Sequence, residues 1–492
     1  MPEINGHSVA PSKRIAIVGG GLVGSLNACF FAQKGFHVDL YESRADIRTA
    51  TKVAGRSINL ALSHRGRAAL RAVGLEGHIT TEGIPMYARM IHDLDGSTHA
   101  VPYGTRPDHF IISIDRRRLN EVMLNMAEKF PLVKFHFNHR LVKCNLESGD
   151  MTFSISGGAT VEHTADLVIG CDGAHSAVRG VMEKKILFDF KQEYIEHGYV
   201  ELETPADKSG DYAMAKNYLH IWPRDTFMLI ALPNLDRSFT TTLFMPFKQF
   251  DQLTTETAVT NFFRATFPDA VKLIGENHLV KSFMDTKPSS LISVKCKPYH
   301  SGRAVIMGDA AHAMVPFYGQ GMNAGFLDCL MFHELMDQYN DNFDLVLPAF
   351  TKMMQPNGEA IVDLAAYNYI EMRHLVNTWS YYFRKKMDNF LYRLMPNSWV
   401  PRYTMVTFTL TPYSKCIEHR DWQDKMLTRA AWIGGTTIVA MALCAVLPLA
   451  QMEDYLEHST RIGRTFSRVV RGTKSHLGYS QFFLRHAWRY SN

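Results

Sequence analysis

A glycine-rich turn near the start of the chain constrains the fold more than any other feature of the sequence. Residues 14–18, an arginine followed by four apolar residues, are typical of a buried parallel strand, and they lead directly into Gly19, Gly21 and Gly24 in the pattern G-x-G-x-x-G. Residues 25–34 continue with a helical pattern. In such a turn the first glycine permits the sharp bend, the second lets a pyrophosphate approach the backbone, and the third lets the helix pack closely on the strand.

A second strand with a terminal acid completes the pattern. Residues 37–41 form this strand, and Glu42 follows about 20 residues beyond the turn, where a carboxylate accepts hydrogen bonds from a ribose hydroxyl. Glycines alone are a weak signal, but strand, turn, helix, strand and acid together predict a Rossmann-like dinucleotide-binding unit. A nicotinamide dehydrogenase would continue with further βαβ units, whereas a polar insertion follows Glu42 here. Later segments must therefore identify the dinucleotide.

Two later segments place an aspartate after an apolar strand. Residues 167–171 lead into Asp172, and residues 304–308 lead into Asp309 and the glycine-rich stretch 316–325. Ligands of open α/β sheets collect at the carboxyl ends of the strands. Either segment alone is equally typical of an ordinary turn.

Taken in this order, the three segments resemble those of the class A flavoprotein aromatic hydroxylases. The resemblance implies an α/β fold with a Rossmann-like FAD-binding domain, an interleaved antiparallel-sheet substrate domain and a C-terminal helical region. It also implies tightly bound FAD, with NADPH as a transient co-substrate and O2 as the oxidant, and no catalytic side chain, because the flavin carries the chemistry. Carried over by position, the residues that would bind FAD are Gly19, Gly21, Val23, Gly24, Tyr41, Glu42, Ser43, Arg44, Ala61, Arg116, Leu141, Asp172, Ala177, Asp309, Met322 and Asn323.

Within this group, further segments are similar to the kynurenine 3-monooxygenase family. These segments are residues 57–66, 83–86, 89–92, 101–104, 316–326 and the run Tyr-Asn-Tyr-Ile-Glu-Met-Arg at 367–373. The resemblance implies hydroxylation of L-kynurenine at ring position 3 to 3-hydroxykynurenine, through a C4a-hydroperoxyflavin. It implies that Arg89 pairs with the substrate carboxylate, since its planar fork offers two parallel N–H groups. Tyr103, Asn368 and Tyr403 would complete the amino-acid end of the pocket.

The resemblance and the residue patterns together predict the domain organisation. Residues 190–300 are rich in Thr, Phe, Leu and Tyr and favour antiparallel strands that form the floor of a substrate pocket. The predicted parts are a discontinuous FAD-binding domain (1–190 and 295–345), substrate-binding β-sheet regions (80–115 and 190–295), a C-terminal helical region (345–429), a transmembrane anchor (430–450) and a basic tail (451–492).

The anchor is predicted from residues 430–450, which carry no charge over 21 residues. About 20 apolar residues cross a hydrocarbon core as a helix. A buried helix of a large domain is the alternative. Both flanks are basic, so charge does not decide the orientation. A cytosol-facing body suits the endoplasmic reticulum or the mitochondrial outer membrane, and the basic tail and the resemblance favour the latter.

Composition excludes several other classes of protein. Lys and Arg number 53 against 48 Asp and Glu, for a net charge of +5, so nucleic acid is not an expected partner. The seven cysteines are scattered singly, which favours a reducing compartment and argues against a Cys-ligated metal site. The histidines form no ligand triad with carboxylates, so no metal is predicted. The sequence does not indicate an oligomeric state.

Two other functions remain open at the level of sequence. One is a different flavoenzyme, such as an amine oxidase or a membrane-bound epoxidase, which would lack a carboxylate-binding Arg89 beside Tyr103. The other is a non-enzymatic, tail-anchored scaffold that binds FAD only for stability. Oxidation of NADPH that is stimulated by substrate would separate the predicted enzyme from both.

Overall fold

The computed structural model describes most of the chain. The described residues are 13–49, 59–104, 106–185, 187–374 and 378–446, with side chains described to residue 433. The chain divides into two compact units, Met1–Arg420 and Asp421–Asn492. Every strand given below, and the two cavities of the candidate site, belong to the first unit.

The strands are numbered in chain order. They are β1 (Arg14–Val18), β2 (His37–Glu42), β3 (Asn59–Leu62), β4 (Ile84–Met86), β5 (Ala88–His92), β6 (Thr98–Pro102), β7 (Ile111–Asp115), β8 (Val133–Phe137), β9 (Arg140–Cys144), β10 (Asp150–Ser154), β11 (Thr160–Thr164), β12 (Leu167–Gly170), β13 (Asp189–Thr204), β14 (Tyr218–Arg224), β15 (Phe227–Pro233), β16 (Phe239–Pro246), β17 (Ser289–Lys297), β18 (His300–Ser301) and β19 (Ala304–Ile306).

The helices are numbered in the same way. They are α1 (Leu22–Gln33), α2 (His64–Ala72), α3 (Glu76–Thr81), α4 (Arg116–Glu128), α5 (Ala177–Met182), α6 (Phe247–Phe250), α7 (Glu256–Thr266), α8 (Pro268–Ile274), α9 (Glu276–Asp285), α10 (Asp309–His312), α11 (Gly321–Gln338), α12 (Phe343–Arg373), α13 (Trp379–Leu394), α14 (Arg402–Phe408) and α15 (Tyr413–Val446), with a 3-10 turn at Pro316–Tyr318.

A six-stranded sheet forms the Rossmann-like part of the fold. Its strand order is β18-β19-β12-β1-β2-β8, and all neighbours pair in parallel except β18 with β19. The strand β1 is buried from Ile15 to Val18, as expected for a parallel strand covered on both faces. The carboxyl ends of β1, β12 and β19 bring Gly19, Cys171 and Met307 to one edge of the sheet. The α/β fold predicted from the glycine turn is confirmed.

A seven-stranded sheet forms the second layer and carries the predicted substrate arginine. Its order is β17-β13-β16-β15-β14-β5-β6. Neighbours are antiparallel, as expected from the residue pattern, except that β5 pairs in parallel with β14, which aligns Arg89 with Leu219. The short strands β5 and β6 thus join a sheet that is otherwise built from β13 to β17. Two three-stranded sheets, β11-β10-β9 and β3-β7-β4, complete the described strands.

Helices α6 to α9 interrupt the region that was expected to be made of strands. The hydroxyl of Thr255 caps α7 by accepting from the Ala258 N–H at 3.2 Å, and Pro268 occupies the first turn of α8. Their buried side chains, such as Phe263 and Leu279, form a separate apolar core with the outer face of the seven-stranded sheet. The prediction of strands throughout 190–300 was wrong for this segment, because the aromatic content outweighed these local helix signals.

The predicted membrane anchor receives no support from the structure. Within the described residues no helix has both the length and the apolar character needed to cross a membrane. The side chains of 434–446 and all of 447–492, including the basic tail, lie outside the described residues.

Candidate functional site

A cavity of about 450 Å³ lies between the two large sheets. One side is formed by residues that follow β1, β12 and β19, and the other side by β14 to β17. Ligand pockets of α/β proteins occupy this position at the carboxyl ends of parallel strands. The predicted site residues that line it are Gly21, Val23, Ala61, Arg89, Arg116, Asp309, Met322 and Tyr403.

The glycine turn has the geometry that a bound pyrophosphate requires. Gly19 has a φ of +110°, and a Cβ there would lie 2.4 Å from the Cys171 carbonyl oxygen. A Cβ on Gly24 would lie 1.9 Å from the Gly19 oxygen, so the close packing of α1 on β1 excludes any side chain. A Cβ on Gly21 would meet no protein atom within 4 Å, and no side chain caps α1 at this residue. The helix N-terminus therefore opens onto the cavity with its N–H groups free for phosphate oxygens.

Hydrogen bonds fix the position of the Glu42 carboxylate at the end of β2. It accepts the Gly20 N–H at 2.9 Å and both the N–H and the guanidinium of Arg44 at 3.0 Å, and the Ser43 hydroxyl donates at 3.3 Å. Burial acts to raise the pKa of Glu42, but these hydrogen bonds outweigh it and hold the pKa below its usual value. An ionised carboxylate beside the glycine turn fits the hydroxyls of an adenosine ribose.

Asn323 fastens the far wall of the cavity rather than facing it. Its amide donates to the Ala61 oxygen at 2.8 Å and to the Gly319 oxygen at 2.7 Å, and its Oδ1 accepts the Ser63 N–H at 2.8 Å. The side chain is fully buried. These three bonds set the positions of Ala61 and Met322, which line the cavity.

A buried His–Asp pair holds the loop that carries Asp309. The Asp328 carboxylate accepts the Gly308 N–H at 2.8 Å and lies 2.7 Å from the His312 ring nitrogen. Burial acts to lower the pKa of His312, but the Asp328 carboxylate outweighs it and raises the pKa above its usual value. No sequence motif singles out Asp328, because it lies in α11, a helix whose residues are mostly buried.

Four predicted FAD residues serve the packing around the site instead of lining the cavity. Tyr41 is buried against Phe153, with ring centroids 4.0 Å apart, and Leu141 lies in the same core. Asp172 accepts the Ala177 N–H at 2.6 Å and so holds the start of α5. Burial raises the pKa of Asp172. Because the backbone N–H of Ala177 is taken by Asp172, this position offers little to a cofactor.

The residues at the glycine turn, at Glu42 and around Asp309 fit FAD. The open N-terminus of α1 would accept a pyrophosphate, Glu42 would accept ribose hydroxyls, and Asp309 lies on the cavity wall where a polyol chain would pass.

Arg89 lies at the junction between this cavity and a second, smaller one of about 110 Å³, and it lines both. The residue is 5% exposed, its guanidinium carbon lies 4.8 Å above the Tyr403 ring, and its Nη1 is 4.0 Å from Glu371. Its Nε has no hydrogen-bond partner. A buried guanidinium with an unsatisfied N–H is a strong site for a carboxylate.

Aromatic rings enclose Arg89. Tyr103 stacks on Tyr403 at 5.5 Å, and Tyr403 stacks on Tyr318 at 5.6 Å. The Tyr103 hydroxyl is buried without a partner and lines the second cavity. The structure therefore brings three of the four predicted substrate residues together.

Asn368, the fourth, lines neither cavity. Its amide donates to the Phe317 oxygen at 2.7 Å and contacts the Met372 sulfur at 3.2 Å, and it is 1% exposed. Phe317 and Met372 both line the larger cavity, so Asn368 positions the wall behind them. Its contact with a ligand stays a prediction.

The second cavity contains a buried polar network that sequence reasoning missed. Glu371 accepts from Arg402 at 2.8 Å and from the Tyr381 hydroxyl at 3.0 Å. Burial acts to raise the pKa of Glu371, but Arg402 and Arg89 outweigh it and lower the pKa. Lys385 lies on the same wall. The sequence did contain a hint of this network, because Glu371 lies one helical turn after Asn368 in the run at 367–373. That spacing alone does not show which side chains contact each other.

The described residues offer no metal site. In the ranges given above, no group of three His, Cys, Asp or Glu side chains is placed to hold an ion.

Comparison with known proteins agrees with this geometry. A family model described as an FAD binding domain matches residues 13–342. The chain is 53% identical over 456 residues to the kynurenine 3-monooxygenase of Anopheles gambiae, covering 92% of this chain and 93% of the relative. It is 52% identical over 425 residues to that of Sus scrofa, covering 86% and 90%. A solved structure of 2-methyl-3-hydroxypyridine-5-carboxylic acid oxygenase shares the fold at a TM-score of 0.60 and 20% identity, covering 74% of this chain and 93% of that one. The chain therefore belongs to the kynurenine 3-monooxygenase family of FAD-binding flavoprotein monooxygenases.

Proposed function

We propose that this flavoprotein monooxygenase uses NADPH and O2 to hydroxylate L-kynurenine at ring position 3. The observation that carries the proposal is Arg89, a buried guanidinium with an unpartnered N–H that lines both the cavity that fits FAD and the smaller second cavity. Relatives that bear the name kynurenine 3-monooxygenase cover most of the chain. A small aromatic amino acid would place its carboxylate on Arg89 and its ring in the larger cavity.

The residues of the cavity would orient this substrate and exclude water. Arg89 would grip the carboxylate, with the Tyr103 hydroxyl as a further donor. Apolar side chains including Ile230, Leu232 and Phe244 would hold the aryl ring. When bound, FAD supplies the electron transfer from NADPH and the activation of dioxygen that the hydroxylation requires. The chain then contributes a dry, shaped cavity and a fixed ring position.

NADPH is proposed to bind transiently on the surface of the FAD-containing unit. The sequence contains a single G-x-G-x-x-G turn, which FAD would occupy. A nicotinamide cofactor that binds only briefly does not need a separate binding domain.

A substrate panel tests the proposal directly. With the full chain and FAD, we expect L-kynurenine to stimulate NADPH oxidation and to yield 3-hydroxykynurenine, identified by mass spectrometry. Kynuramine, which lacks only the carboxylate, is the matched control and should stimulate far less, because it offers Arg89 no anion. If the protein binds flavin but none of the aromatic compounds stimulates its NADPH oxidation, the proposal is contradicted and a scaffold is favoured.

Lys385 gives the proposed binding a pH dependence. Burial lowers the pKa of Lys385 to about 8, and the charge of Arg89 adds to the effect. Below this pH the ammonium supports an anion in the second cavity, and above it the neutral amine does not. We therefore expect the KM for L-kynurenine to rise as the pH increases through 8, and Lys385→Met to raise KM at pH 7 by about tenfold, or ~1.4 kcal/mol.

The control for this prediction is Lys386→Met, which removes the exposed neighbouring charge. Titration of the substrate's own ammonium group persists in every variant, so only a change confined to Lys385→Met counts. An unchanged KM and pH profile in that variant would show that Lys385 does not reach the bound substrate.

We further propose that residues 430–450 anchor the chain in the mitochondrial outer membrane with the catalytic unit facing the cytosol. The support is the uncharged sequence and the basic tail alone. In cells, the full chain should resist alkaline extraction from mitochondria, whereas a chain ending at residue 429 should be released. Release of both would refute the anchor.

A further inference from the structure

The helix α13 exposes an unusual number of large apolar side chains. Trp379 is 79% exposed, Phe383 55%, Phe390 60% and Leu394 62%, and Tyr382 lies beside them. These residues recur at helical spacing and form one stripe, which we call the α13 aromatic face. Single exposed apolar residues are ordinary, but a contiguous aromatic stripe marks an interaction surface.

The orientation of α13 is the reverse of that expected for a surface helix in water. Its only buried residue is Asp388, which accepts from Arg384 at 2.9 Å, from the Trp399 indole at 3.0 Å and from Arg420 at 3.0 Å. A buried ionic cluster therefore fixes the helix on the protein, with the aromatic face pointing outward. The fold holds these rings away from the core, so the exposure of the aromatic face is fixed by the structure of the protein.

The charges on α13 identify the kind of partner. The helix has one acid, Asp388, and that acid is buried, so its exposed charges, Lys386 and Arg393, are both positive. The Lys386 ammonium lies 4.7 Å above the Tyr382 ring. Aromatic rings flanked by long basic side chains suit the interface of a bilayer, where the rings enter the headgroup region and the cations meet anionic phosphates.

From this arrangement we propose that the α13 aromatic face docks on a membrane surface that contains anionic phospholipid, with the helix lying parallel to the bilayer. A span is excluded, because α13 is 16 residues long and carries five charged side chains. The choice of a membrane rests in part on the proposed anchor, since residues 430–450 of the same chain have the length and composition of a span. The opposite side of α13, through Tyr381 and Lys385, lines the second cavity, so the helix connects the membrane surface to the proposed substrate site.

Site-specific photocrosslinking tests this proposal in the full chain. Phe383 or Phe390 is replaced by p-benzoylphenylalanine, and the protein is reconstituted into vesicles of phosphatidylcholine with a minor share of phosphatidylglycerol. Phe190, an exposed phenylalanine on β13, receives the same replacement as the matched control. After irradiation we expect about tenfold more phospholipid adduct at 383 and 390 than at 190, because only the α13 positions enter the interface.

Crosslinks from 383 or 390 to protein, whether to a second copy or to residues 451–492, in place of lipid would overturn the proposal. Equal lipid labelling at 190 would also overturn it. The benzophenone reports lipid contact at its own position, whereas alkaline extraction reports the anchor. The two proposals can therefore fail separately, and retained flavin absorbance in each variant shows that the site has folded.

Discussion

Replacing Arg89 by methionine is expected to raise the KM for L-kynurenine about a hundredfold while FAD stays bound. Removing one partner of a buried charge pair costs about 3 kcal/mol, which corresponds to roughly a hundredfold in affinity. Methionine keeps much of the volume, so the Tyr403 ring retains a neighbour. The network behind Arg89 should survive, because Glu371 still accepts from Arg402 at 2.8 Å and from the Tyr381 hydroxyl at 3.0 Å.

A second substrate separates this effect from a general loss of the pocket. Kynuramine carries no carboxylate, so Arg89→Met should change its KM little, and the preference for kynurenine over kynuramine should collapse. Steady-state kinetics with both compounds, together with the flavin spectrum of the purified variant, decide the matter. Loss of FAD from Arg89→Met, or an equal loss for both substrates, would refute the assigned role.

The glycine turn and the strands around it could be predicted because their constraints are local. A strand followed by three spaced glycines allows few conformations, and the structure keeps Gly19 at φ +110° with Gly24 against its carbonyl. The parallel sheet follows from buried apolar strands. By contrast, the helices α6 to α9 could have been predicted only from capping residues such as Thr255. Such a residue is a weaker sequence signal than a run of aromatic residues.

The polar part of the substrate site could be predicted only in part. Arg89 and the tyrosines were indicated by resemblance, but the environment of Glu371 and Lys385 forms only when α12, α13 and α14 pack together. Asn368 shows that sequence position alone does not predict where a side chain points. It lies one helical turn before Glu371, yet its amide turns to the Phe317 carbonyl. Which face of a helix is inward is a tertiary property.

The same reasoning applies to α13. Its large apolar residues recur at helical spacing, which predicts an amphipathic helix. Hydrophobic patterning would place the aromatic side inward. The fold places Asp388 inward instead, since Arg384, Trp399 and Arg420 satisfy it there. Exposed aromatic residues are thus a consequence of a buried ionic cluster that no local pattern reveals.

Two glycine substitutions in the turn should separate fold from cofactor binding. In Gly24→Ala the new methyl would lie 1.9 Å from the Gly19 oxygen, a backbone atom that cannot move aside. The helix α1 must shift from β1, at a cost of about 1–3 kcal/mol typical of overpacking. We expect this variant to purify without flavin and its apoprotein to melt several degrees lower, by about the shift that such a cost gives.

Gly21→Ala is the matched control, because its methyl would meet no protein atom and its φ of −75° suits any residue. The apoprotein should melt like the parent, yet FAD affinity should fall at least tenfold, since the methyl occupies the space through which the pyrophosphate approaches the N-terminus of α1. Fluorescence titration with FAD and thermal melts of both apoproteins make the comparison. Unaltered affinity in Gly21→Ala would mean that the phosphates bind elsewhere, and normal flavin content in Gly24→Ala would mean that the contact between helix and turn is dispensable. We therefore expect the two substitutions to have different effects, because Gly24 allows the helix to pack and Gly21 leaves space for the ligand. Both effects follow from distances within a single turn of six residues.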